Sequence, residues 1–137
     1  MPVRAKSKPA ARRTPKRRSA ADDGVELRMR LRIYRGDDIA FGPGKADLLA
    51  AIDRTGSLSQ AAKQLDMSYM RAWTLIQTVN HCFTTPLVEM ERGGSHGGEA
   101  RLTPVGREVL ELYREISAAG MRAAAGPWRK LRRRLQA

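Results

Sequence analysis

SLSQAAKQLDMSYMRAWTLIQTVN, residues 57–80, reads at helical period as two helices joined by a tight turn. Leu58, Ala61, Ala62 and Leu65 fall on one face of the first helix, and Ala72, Trp73, Ile76 and Val79 on one face of the second. Met67 fills the turn, and the small side chains of Ala61 and Ala62 mark the closest approach of the two helices. Ser57, with Gln60 three residues on, has the spacing of a capping box, and Ser68 stands where the second helix needs an N-cap. The outward face of the second helix is Tyr69, Met70, Arg71, Thr74, Gln77 and Thr78, which hydrogen-bonds but carries a single charge. A solvated helix face usually carries Glu and Lys. A face of this composition suits the major groove of DNA. The plainer alternative is an ordinary helical hairpin, and only the flanking sequence separates the two.

Upstream, Leu27, Met29, Leu31 and Ile33 alternate with Arg28, Arg30 and Arg32, which predicts a half-buried strand with a basic outer face. Those arginines either grip phosphates or pair with Glu89, Glu91 or Glu99, and pairing is the preferred expectation. Gly36-Asp37-Asp38 turns the chain into a short return strand at Ile39 and Phe41, which Gly42-Pro43-Gly44 breaks. A helix is expected over residues 45–54, with Leu48, Ala51 and Ile52 inward and Gly56 as its stop.

Downstream, Thr84, Thr85 and Pro86 end the second helix of the pair. A strand around residues 87–92, the loop GGSHGG at 93–98 and a strand reaching Leu102 follow, in the outline of a wing. Thr103 then caps a long helix with Pro104 at its first position. Its stripe Val105, Val109, Leu112 and Ile116, widened by Leu110 and Tyr113, is broad enough for the core and a second subunit. The segment GPWRKLRRRLQA places Trp128, Leu131 and Leu135 at helical spacing among arginines, a pattern that fits an anionic membrane, a DNA contact or disorder.

The 137 residues carry a formal net charge of +12, all of it at the two ends. Residues 1–21 hold eight Lys and Arg, residues 121–137 hold six, and neither segment has an acid. Residues 22–120 hold 12 basic and 14 acidic side chains. This division predicts a basic, disordered arm at 1–24, a folded domain at 25–120 and a basic tail at 121–137, with a polyanion as partner. The lone Cys82 rules out an internal disulfide, and no apolar run is long enough to span a bilayer, so a cytoplasmic protein is expected. His81, Cys82 and His96 lack the spacing of a zinc site, and no nucleophile–base pair is identifiable. No enzyme activity, metal or cofactor is therefore expected.

The run Ser57–Asn80, with SYMRAW at 68–73, and the pattern GG-x-x-GG-x-A-x-LT-x-x-G at 93–106 resemble the amino-terminal DNA-binding domain of the ModE family of bacterial molybdate-responsive regulators. The likeness covers residues 26–118. The pattern S-x-x-x-AA-x-x-L-x-x-S from Ser57 to Ser68 is also similar to LysR-type regulators. The resemblance implies a mainly α winged helix-turn-helix that dimerises and binds operator DNA. Full-length ModE regulators continue into molybdate-binding domains, for which 137 residues leave no room. Direct molybdate binding is therefore not expected, nor is membrane contact by the tail.

The expected function is sequence-specific transcription regulation by a homodimer on double-stranded DNA. Ser68, Tyr69, Met70, Arg71, Thr74, Gln77 and Thr78 are placed for bases or adjacent phosphates, with Arg71 alone able to fork onto guanine. Ser59, Gln60, Lys63, Arg92, Gly93 and Gly94 are placed for phosphates, and Trp73 is assigned to the core. The competing expectation is a sequence-indifferent architectural protein that coats DNA through its cationic arms.

Overall fold

The computed structural model describes residues 23–91 and 99–136. In chain order these form β1 (Ile33–Arg35), β2 (Asp38–Phe41), α1 (Pro43–Thr55), α2 (Leu58–Gln64), α3 (Tyr69–Cys82), β3 (Val88–Glu91), β4 (Glu99–Leu102) and α4 (Pro104–Arg132). The strands pair as two antiparallel hairpins, β1 with β2 and β3 with β4, the second in register from Val88 opposite Leu102 to Glu91 opposite Glu99. The architecture is a mainly α winged helix-turn-helix.

Each helix begins and ends for a reason visible in the sequence. Pro43 starts α1 two residues ahead of the expected boundary, since a proline at the first position is already in helical conformation. Gly56 closes α1 in the left-handed region at φ 67°, its N–H donating to the Ile52 carbonyl at 2.8 Å. The Ser57 hydroxyl accepts from the Gln60 N–H at 3.3 Å and the Ser68 hydroxyl from the Arg71 N–H at 3.1 Å. The Ser57 N–H itself goes to Thr55 Oγ1, so only half of a capping box forms.

The turn between α2 and α3 is a Schellman closure. Met67 N–H donates to the Ala62 carbonyl at 3.0 Å and Asp66 N–H to the Lys63 carbonyl at 3.2 Å. Asp66 occupies the left-handed position at φ 53°, where a short polar side chain is among the few tolerated besides glycine.

The core gathers one face of each helix. Leu48, Leu49 and Ile52 from α1, Leu58, Ala61 and Ala62 from α2, and Ala72, Ile76 and Val79 from α3 are buried with Leu87, Val88, Leu102, Leu110 and Tyr113. Phe41 is fully buried, edge-on to Tyr113 at 5.0 Å and to Phe83 at 6.2 Å between ring centroids. Lys45 is buried beside it, its ammonium donating to the Ile39 carbonyl, and burial pushes its pKa down. Arg35 donates to the Cys82 carbonyl at 2.9 Å, which fastens β1 to the end of α3.

One node joins α3, the wing and α4. The Asn80 side chain accepts from the Leu87 and Val88 N–H groups at 2.8 and 3.2 Å and donates to the Val88 carbonyl at 3.0 Å. From the other side, Thr103 N–H donates to the Leu87 carbonyl at 2.9 Å and Thr103 Oγ1 to the Pro86 carbonyl at 2.7 Å. The same hydroxyl accepts from Gly106 N–H at 2.9 Å and so caps α4. Gly106 lies so close to this strand that a Cβ there would stand 2.0 Å from the Leu87 carbonyl oxygen. The wing is tied to α1 as well, because Ala100 N–H donates to the Gly56 carbonyl at 3.0 Å.

Three expectations are corrected. Trp73 is not in the core but 41% exposed. The buried face of α3 is centred on Ala72, Ile76 and Val79, and a step of about 100° per residue carries Trp73 to its margin beside Tyr69. Residues 25–32 are extended but join no sheet, and strand pairing begins only at Ile33. They lie instead as a strap along α4, with Tyr113 Oη donating to the Leu31 carbonyl at 2.7 Å and Met29 against Gly120. Among the described residues the arginines of this strap make no ion pair with the wing: Arg28 pairs with Glu26, while Arg101 takes Glu89 and Glu91. Helix α4 runs unbroken through residue 120 and through Pro127 to Arg132.

Two stability predictions follow from the node. Gly106→Ala is expected to lose about 3 kcal/mol, the upper end of overpacking costs, because the backbone of Leu87 must move. Asn80→Ala is expected to lose about 2–3 kcal/mol by stranding two N–H donors. Urea denaturation of each variant checks both. Trp73→Ala should cost about 1–2 kcal/mol in the same assay, well short of the ~3–5 kcal/mol of a fully buried tryptophan. A larger loss would return Trp73 to the core.

Candidate nucleic-acid interface

The outward side of α3 is a narrow open strip. Met70, Thr74, Gln77 and His81 follow one another at four, three and four residues, all exposed, Met70 at 66%. Tyr69 and Trp73 stand along one margin of the strip, and Arg71 and Thr78 along the other. Tyr69 and Arg71 are exposed, whereas Thr78 is half-buried. Ser68 is exposed at the N-terminus of α3, its oxygen engaged as the cap.

The two threonines are already committed through their protons. Thr74 Oγ1 donates to the Met70 carbonyl at 2.8 Å and Thr78 Oγ1 to the Thr74 carbonyl at 2.9 Å. What they offer outward is a methyl group and acceptor lone pairs. In a major groove those fit a thymine methyl or the amino group of adenine or cytosine. Gln77 supplies an amide with both donors and an acceptor. Arg71 makes no ion pair among the described residues, so its guanidinium is not already spent on a carboxylate.

The neighbouring helix contributes a second set. Gln60 and Lys63 are exposed on α2, and Ser59 is half-buried beside them. The Schellman turn fixes α2 against α3, so these groups and the α3 strip are held as one rigid unit. Arg92, Gly93 and Gly94 lie outside the described residues. The flanks of the wing leading to them are placed by the Val88–Leu102 to Glu91–Glu99 register.

His81 and Trp73 are candidates that the sequence reading set aside. His81 was weighed only as a metal ligand, although its four-residue step from Gln77 puts it on the same strip. Trp73 was drawn inward by its three-residue spacing from Ile76. Nothing in the spacing distinguishes the middle of a buried face from its edge.

The chain is similar to known proteins over this same segment. Residues 45–107 match the family described as bacterial regulatory helix-turn-helix protein, lysR family. The molybdenum-pterin-binding protein MopB of Rhodobacter capsulatus is 43% identical over 78 residues, which are 57% of this chain and 29% of that protein. The molybdenum transport protein ModE of Azotobacter vinelandii is 44% identical over 77 residues, 56% of this chain and 28% of its own length. The DNA-binding transcriptional dual regulator ModE of Escherichia coli K12 is 41% identical over 71 residues, 52% and 27% of the two chains. The chain thus spans less than a third of the length of these relatives. Among solved structures, a chain of a CbnR_DBD–DNA complex superposes with a TM-score of 0.47 at 25% identity, covering 66% of this chain and 97% of that one. Over residues 45–107 the chain is thus similar to the helix-turn-helix of bacterial lysR-type regulators, and a segment of 71–78 residues is similar to the ModE and MopB molybdenum proteins.

Proposed function

We propose that this chain is a sequence-specific DNA-binding transcription regulator that works in the cytoplasm as a homodimer, with α3 in the major groove. The observation that carries the reading is the α3 strip itself. Met70, Thr74, Gln77 and His81 are open, carry methyl, amide and imidazole groups and are flanked by one unpaired arginine. Bases are read by such groups, whereas a protein that only coats phosphates is served by Lys and Arg. In this reading Ser68, Tyr69, Met70, Arg71, Thr74, Gln77 and Thr78 meet base edges or adjacent phosphates. Ser59, Gln60, Lys63 and the wing residues Arg92, Gly93 and Gly94 hold the backbone. It is a binding function, and no catalytic step or cofactor is assigned to it.

The second subunit is supported by α4. Its core-facing residues Gly106, Leu110 and Tyr113 are buried, yet Leu112 and Ile116, on the adjoining stripe with Val105 and Val109, are 49% and 51% exposed. The division into basic arm, winged domain and basic tail is one of charge, since α4 crosses the boundary at 120 without a break. Molybdate binding is not part of the proposal. The molybdenum-related names belong to whole proteins of which this chain matches less than a third.

Arg71→Ala is expected to lower the preference for the promoter beside the protein's own gene over random DNA by about 1–3 kcal/mol, measured by fluorescence anisotropy on both duplexes. Equal loss on both would remove Arg71 from base reading. Two half-sites about 34 Å apart are expected in a footprint of that promoter if the dimer forms. The double variant Leu112→Glu with Ile116→Glu should run as a monomer in analytical ultracentrifugation, keep its helical circular dichroism and bind the promoter at least tenfold more weakly. A variant that stays dimeric would move the interface elsewhere.

A further inference from the structure

The first described residue of this chain and the cationic end of α4, more than 100 residues apart in sequence, meet through Asp23 and Arg132. The strap runs antiparallel to the helix: Leu31 is bonded at Tyr113, Met29 lies on Gly120, and Asp23 pairs with Arg132 at 2.7 Å. The spans agree, since eight extended residues cover about 26 Å and nineteen helical residues about 28 Å. The Arg132 guanidinium beside Asp23 holds that carboxyl below its usual range. Asp23, the residue paired with Arg132, follows in sequence a segment, residues 1–21, that holds eight Lys and Arg.

That end of α4 is cationic in its own right. From Ile116 to Gln136 there is no acid, and Arg129, Lys130, Arg133 and Arg134 are exposed with no ion pair among the described residues. Arg129 and Lys130 lie in the last turn of α4 and Arg133 and Arg134 in the turn that follows it; continued at about 100° per residue, the four span an arc of about 140°. Complementing the helix dipole accounts for one or two cations in the last turn, not for four. The buried residues of α4 all lie between Gly106 and Tyr113, so this end projects past the core as a rod.

We infer that this end of α4 is a second DNA-binding surface, which grips the phosphate backbone of duplex DNA separately from the α3 strip. Duplex DNA fits better than an anionic bilayer because the cationic arc faces away from Trp128, Leu131 and Leu135. The strap lies on that apolar side, leaving Trp128 half-buried and only the two leucines open. A flat membrane that met those leucines would not meet the four cations.

The test compares the full chain with the variant Arg129→Gln, Lys130→Gln, Arg133→Gln, Arg134→Gln on a 40-base-pair random duplex, chosen only for length (roughly four helical turns), across a salt series. Each phosphate contact contributes about 0.9 to the slope of log affinity against log salt, so the variant's slope should fall by about 2–4. Its promoter-over-random preference should be unchanged, because phosphate contacts carry no sequence information. Equal slopes would overturn the inference. So would an unchanged DNA slope with loss of binding to phosphatidylglycerol vesicles, which would assign the surface to membrane. A chain that showed no promoter preference at all would sink the proposed reading role of α3 while leaving this slope difference to be read. Unchanged helical circular dichroism in the variant excludes unfolding as the cause.

Discussion

The contact on which this fold depends is the approach of Gly106 to the Leu87 carbonyl. It allows the first turn of α4 to lie directly on the strand that begins the wing, and Thr103 and Asn80 grip that strand from opposite sides. Three elements meet there: the end of α3, the start of β3 and the start of α4. A side chain at residue 106 would separate them. The placement of α4 on the wing is therefore set by backbone contact, while α3 is fixed to the same strand by the three hydrogen bonds of the Asn80 side chain. A protein that must present a helix and a hairpin to one rigid surface gains from that fixing, since a site held loosely must be ordered again on each binding event.

Much of this was legible in the residues. Ser57, Ser68, Gly56, Thr103 and Pro104 are local signals, each acting within four residues of itself, and each does what its chemistry predicts. The same holds for the wing outline, because a strand–glycine loop–strand pattern contains its own partner. What was not legible is long-range. Asn80 looks like any polar residue near a helix end until the fold brings Leu87 and Val88 to it. The alternation from Val25 to Ile33 records one buried side and one exposed side, but a helix can cover the buried side as well as a sheet can. Trp73 shows the same limit, since periodicity assigns a face and not the position of its edge.

The run of α4 through Gly126 and Pro127 has a local physical account. Proline removes one N–H donor and crowds the carbonyl four residues earlier, here that of Ala123. Both Pro127 and Ala123 are exposed, so water can take the carbonyl, and the surrounding alanines favour helix strongly. The strap's ion pair between Asp23 and Arg132 lies beyond the proline, so the last turns of α4 stay within reach of the amino-terminal strap.

The distribution of charge then follows a division of labour. Residues 22–120, which contain the reading strip, hold 12 basic and 14 acidic side chains, so the winged domain has little net attraction for DNA as a polyanion. Binding by that domain alone would be discriminating and weak. Cations placed on a rod outside the core add affinity that is independent of sequence and falls steeply with salt. Because phosphate contacts do not distinguish one site from another, they raise occupancy without eroding the preference set at α3. Placing the same cations on α3 would have competed with base reading for the same groove. In the proposed reading, separating them would let ionic strength tune how often the protein is on DNA, while Arg71, Thr74 and Gln77 would determine where.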